Sequence, residues 1–91
     1  MNETRSGEFV SAQIGKMGLI DNLQKADFRI ADGQPFNIKN DGTQPVMLSV
    51  QLAGMKEGDF IETQFDCGWN PEIVKAVKQT SLSGLNLKWG Y

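Results

Sequence analysis

The chain has 91 residues, a formal net charge of −2 and no histidine. A single domain of this size buries about 60–65% of its unfolded surface, so its stability is modest unless a partner adds to it. The charge balance leaves no cationic excess for nucleic acid or for an anionic membrane surface. Without histidine, His-based triads, most catalytic zinc sites and ordinary imidazole acid–base chemistry are excluded.

Met1–Gly7 is polar and reads as a free arm, or as one that orders on a partner. The remainder, from Glu8 to Tyr91, reads as one domain. The first ten residues, MNETRSGEFV, lack a basic region followed by an apolar stretch, so they do not read as a signal peptide. Val10, Ala12 and Ile14 alternate and predict a first strand over Glu8–Ile14. Gly15 and Gly18 punctuate the chain there. Met17–Leu23 fits either a short strand or a turn of helix. Ala26, Phe28 and Ile30 alternate with Asp27 and Arg29, predicting a strand over Lys25–Ala31, with Asp32-Gly33 as a turn.

The stretch Gln34–Leu52 carries the plainest signal. Phe36 and Ile38 share one face; Val46, Leu48, Val50 and Leu52 resume the pattern after Asn40-Asp41-Gly42 and Pro45. Side chains in a strand point alternately to opposite faces, so this predicts two half-buried strands joined as a hairpin. The Asp-Gly pair suits the turn, since Gly42 accepts positive φ at little cost. Gly54–Gly58 reads as a loop, and Asp59–Asp66 as another strand with Ile61, Thr63 and Phe65 on one face. Asn70-Pro71-Glu72 then looks like a helix start: a capping Asn, Pro in the first turn and an acid at the positive end of the dipole. A helix of about two turns is expected, and Leu85, Leu87 and Trp89 close the chain as a last strand. The whole predicts a mainly β protein: a small immunoglobulin-like or jelly-roll-like β-sandwich with one short helix near 70–79.

The catalytic inventory is thin. Cys67 is the single cysteine, so no intrachain disulfide exists. It also lacks a histidine to activate it, and it reads as a packed or turn-located thiol. Glu57, Asp59, Glu62 and Asp66 form the densest acidic group. They read as solvated strand and loop charges, since neither a glycosidase cleft nor an EF-hand spacing accompanies them. Gly15-x-x-Gly18 completes no phosphate-loop pattern. Trp69 reads either as a staple packing the helix start on the sheet or as an exposed anchor for a partner or a sugar ring. Trp89 reads as core. Tyr91 reads as closing an edge or marking an interface. No catalytic residue, cofactor or metal is expected.

The segment Phe65–Val77, FDCGWNPEIVKAV, is distinctive. With the Asn40-Asp41-Gly42 turn, Pro45-Val46 and the Asp59–Thr63 strand, it resembles small structural proteins of tailed phages of gut Bacteroidetes, crAss-like phages included. The resemblance covers Gln34–Val77. It implies a non-enzymatic virion protein: an auxiliary or decoration protein docked on the major capsid protein, or a tail-associated one. Such a protein would be made in the host cytoplasm and carried in the virion. Trp69, Asn70, Tyr91 and Arg5 are the expected partner-binding residues. A small carbohydrate-binding module is the alternative, since sandwiches present aromatic platforms to sugars.

Overall fold

The structure is a computed structural model that describes residues 14–91. The expected arm Met1–Gly7, with Arg5, and all but the last residue of the strand expected over Glu8–Ile14 lie outside the described residues.

Among the described residues seven strands form two antiparallel sheets, a mainly β arrangement compatible with a β-sandwich. They are β1 (Met17–Ile20), β2 (Asn37–Asn40), β3 (Val46–Leu52), β4 (Ile61–Phe65), β5 (Gly68–Trp69), β6 (Val74–Val77) and β7 (Leu87–Gly90). One sheet, sheet A, has the order β1-β7-β2-β5; the other, sheet B, has β4-β3-β6. The core lies between them. Ile20, Ile38 and Leu87 come from sheet A, and Leu48, Val50, Phe65, Val74 and Val77 from sheet B. Leu23 and Phe36 join them from the connections, and Phe28 meets Phe36 edge to face at 5.6 Å.

The alternation around Gln34–Leu52 does produce two amphipathic strands, but they are not a hairpin. β2 and β3 lie in opposite sheets and present Ile38 on one side and Leu48 and Val50 on the other to the same core. The connection Asp41–Pro45 therefore arches from one sheet to the other. Asn40 holds that arch. Its Oδ1 accepts the Gly42 N–H at 2.8 Å, and its Nδ2 donates to the Gln44 and Phe65 carbonyls at 2.9 and 3.2 Å. Gly42 does not take positive φ. What constrains it is proximity, because a β-carbon there would stand 3.1 Å from Asn40 Oδ1.

The helix expected near 70–79 is absent. Val74–Val77 is instead strand β6, paired with β3 at Val50–Val77, Gln51–Ala76 and Leu52–Val74. The register shift between Gln51 and Leu52 leaves Lys75 as the bulged residue. A helix of about two turns is marginal by itself. As a strand, the same segment buries Val74, Ala76 and Val77 completely and completes the sheet.

Lys25–Ala31 is not a full strand either. The segment Phe28–Phe36 follows the outer edge of β6 and pairs with it only at its ends, Phe28 with Val77 and Phe36 with Val74, both antiparallel. Between them the chain bulges through a short 3-10 turn, Ala31–Gly33, with Asp32 and Gly33 at φ of 66° and 70°. The expected Asp-Gly turn is there; the strand around it is interrupted. Met17–Leu23 resolves into strand β1 followed by a loop.

Candidate interaction face

The outer face of sheet A sets apolar, cationic and aromatic side chains beside one another. The register places Leu19, Lys88, Lys39 and Trp69 side by side in one row across all four strands. Residues directly opposite in an antiparallel pair share a face, so these four side chains emerge together. Met17, Gly90 and Asn37 form the next row. Met17 and Leu19 are 48% and 62% exposed, whereas Ile20, Ile38 and Leu87 on the opposite face are buried.

Lys39 and Lys88 are like charges in direct cross-strand opposition, an arrangement that destabilises a sheet unless a counter-charge intervenes. Asp41 supplies it, with its two carboxylate oxygens 3.2 Å from Lys39 Nζ and 3.0 Å from Lys88 Nζ. The Lys88 ammonium, then that of Lys39, holds the Asp41 carboxyl below its ordinary pKa, against the opposing effect of desolvation. The face keeps a net positive charge beside an aromatic ring and two exposed apolar side chains.

Trp69 is half-buried, and its ring reaches back over Gly90. A β-carbon at Gly90 would stand 2.6 Å from Trp69 Cη2 and 2.7 Å from Ile14 Cγ2. The ring thus packs on the sheet's own outer face and not on a helix. On the inner side Trp89 does the same with Gly18: a β-carbon there would meet the Trp89 Cζ2 at 2.5 Å. Gly18, which reads as punctuation in the sequence, and Gly90 are the seats of the two tryptophans.

The other expected site residues separate. Tyr91 stacks on Trp89 at 5.8 Å with the rings 14° apart, and it packs against the core. It shares Trp89's side of sheet A, opposite Trp69. Asn70 is 6% exposed. Its Nδ2 donates to the carbonyls of Ile38, Asp66 and Gly68 at 3.3, 3.0 and 3.1 Å, and its Oδ1 accepts the Asp66 N–H at 3.0 Å. Its side chain does not cap a helix; it closes the loop between β4 and β5 and fastens that loop to β2. Asn37 extends the tie, donating to the Glu72 carbonyl at 3.0 Å. Lys39, Lys88 and Asp41 were not singled out by the sequence. Their only signal was strand alternation, which says that Lys39 and Lys88 point outward but not that they are neighbours.

Cys67 is exposed. Among the described residues no group of three or more His, Cys, Asp or Glu side chains could hold a metal ion. A hollow of about 260 Å³ lies between the loop after β1 and the loop before β7, lined by Ile20–Lys25 and Leu82–Leu85. Gln24 Nε2 spans these two loops with a 3.0 Å bond to the Leu82 carbonyl. Comparison with protein-family models, curated proteins and solved structures finds no match.

Proposed function

We propose that the chain is a non-enzymatic structural protein of a virus particle, an auxiliary or decoration protein that docks on the capsid. The observation that carries this reading is the strand order. If the interrupted segment Phe28–Phe36 is counted as a second strand beside β6, the eight strands in chain order run 1-8-3-6 in sheet A and 5-4-7-2 in sheet B. That order supports reading the fold as a jelly roll with one ragged strand, an architecture used by viral capsid and lectin domains. Fold alone does not assign function. The outer face of sheet A supports docking more directly: a row of apolar, cationic and aromatic side chains suits a protein surface better than a small substrate. The resemblance of Phe65–Val77 to phage structural proteins points the same way.

Mass spectrometry of gradient-purified particles from the encoding phage or prophage tests the reading. The chain is expected at a fixed stoichiometry to the major capsid protein, and Lys39→Glu should lower that stoichiometry. Particles that never contain the chain overturn the proposal and move the sugar-binding reading to first place.

A further inference from the structure

Sheet edges are pairing templates, and proteins blunt them with charge, proline, bulges or covering chain. Among the described residues three of the four edges here are blunted. β6 carries a bulge and is lined by Phe28 and Phe36. β5 is two residues long, and β4 carries Glu62 as its second residue. β1, with the sequence MGLI, has no charge, no proline and no bulge, and among the described residues it pairs with β7 alone.

The ladder fixes which groups of β1 face away from β7. Lys16 and Tyr91 exchange both backbone bonds, at 2.9 and 3.0 Å. Bonded and non-bonded pairs alternate along an antiparallel ladder, so Gly18–Trp89 and Ile20–Leu87 are the next bonded pairs. The N–H and C=O of Met17 and Leu19 therefore point away from β7. These are the same two residues whose side chains are exposed.

We infer that this edge joins a second copy of the chain, β1 to β1, about a two-fold axis through Gly18. In an antiparallel junction only one register bonds all four outward groups of each strand. It pairs Met17 with the partner subunit's Leu19, Leu19 with the partner subunit's Met17, and sets the two Gly18 residues opposite each other. That non-bonded pair is where the chains come closest, and Gly18 has no side chain to obstruct it. Opposite charges flank the strand, Lys16 before it and Asp21 after it. Antiparallel pairing brings each Lys16 within one residue of the partner subunit's Asp21; parallel pairing sets like beside like. The product is a continuous eight-stranded sheet, β5-β2-β7-β1 followed by its inverse, with the cationic rows of both copies on one surface. So short a junction buries less than the roughly 800 Å² per partner of a stable dimer. It forms at high protein concentration or where another surface already holds the copies together. The inference does not depend on what that surface is.

Disulfide trapping tests it. Met17→Cys and Leu19→Cys are made separately in a Cys67→Ser background, mixed at high concentration and oxidised. Residues of a bonded pair have Cα atoms about 5.5 Å apart, within disulfide range. The mixed disulfide is expected at least tenfold over either homodimer. A Met47→Cys control on sheet B should cross-link at least tenfold more slowly. Sedimentation of the untrapped protein gives the second arm. Leu19→Pro removes only an outward N–H, and Leu19→Glu places a carboxylate opposite Lys88; each should weaken self-association at least tenfold while circular dichroism stays β. Equal amounts of mixed and homodimeric disulfide, or wild-type protein that stays monomeric at millimolar concentration, overturns the inference. The latter is the result expected if the chain's own first thirteen residues occupy the edge.

Discussion

The Trp69 indole lies across Gly90, with Cη2 2.6 Å from where a β-carbon would stand. Trp69 belongs to β5 and Gly90 to β7, two strands apart in sheet A. The ring bridges over β2, so the shortest strand of the fold is fastened to the last.

That contact makes Gly90→Ala a sharp test of the outer face. The new methyl would collide with Trp69 Cη2 and with Ile14 Cγ2 at 2.7 Å. Both are side chains, so they can yield, but the ring must lift off the sheet. Overpacking of this kind costs about 1–3 kcal/mol. Urea denaturation should show that loss, and the tryptophan emission should shift to the red. Gly15→Ala is the control: its nearest foreign atom is Tyr91 O at 3.8 Å, an ordinary contact. Its midpoint should stay within about 0.5 kcal/mol of wild type.

Asn70 gives a second test, because its buried amide makes four bonds to backbone groups. Asn70→Ala strands those groups, and a buried polar group without a partner costs about 1–3 kcal/mol. Asn70→Asp keeps the shape but turns a donor facing three carbonyls into an acceptor. At pH 7 it should destabilise at least as much as Asn70→Ala. If Asn70→Asp melts like wild type, the donor role is wrong.

Asn70 also shows where sequence reasoning reached its limit. Asn-Pro-Glu is a sound helix start when the next residues have no better option. Here the Asn amide is taken up by Ile38, Asp66 and Gly68, groups brought near it only by the tertiary fold. The segment beyond it finds β3, and strand pairing outweighs a short helix. Alternation was legible at β2, β3, β4 and β7 because period two depends only on the residues themselves. Alternation reports which face is buried and not which strand is next door, so the arch between β2 and β3 looked like a hairpin. The Leu19–Lys88–Lys39–Trp69 row was hidden for the same reason. Its members lie in four strands, and only the register brings them together.

Cys67→Ser should change little. The thiol is exposed, so the substitution buries no hydroxyl. A surface change of this size is expected to fall within about 0.5 kcal/mol of wild type by thermal or urea melting. The native thiol should react with a chromogenic disulfide reagent as fast as in the unfolded chain. Slow native reaction would mean that Cys67 is shielded by something outside the described residues.

Asp41 makes the stability pH-dependent in one direction. Lys88, then Lys39, holds its folded pKa below the ordinary value of 3.8, while the unfolded chain returns it to about that value. The unfolded state therefore binds the proton first as pH falls. The contribution is fully present above the unfolded pKa and is lost as pH drops through the lower folded one. Asp41→Asn removes the charge at every pH and leaves Lys39 and Lys88 opposed without a counter-ion. At pH 7 and low salt the variant should melt below wild type. The gap should narrow only below about pH 4, the window of an ordinary carboxyl moving to a depressed one. High salt should narrow it at pH 7 as well, because these groups are only partly buried and screening reaches them. Restoring the balance from the other side gives the confirming arm. Lys39→Gln should recover part of the stability lost in Asp41→Asn, since it removes one of the two opposed ammonium groups. The four melting temperatures of that double-mutant cycle at pH 7 decide it: additive losses would mean that Asp41 does not mediate between the two lysines.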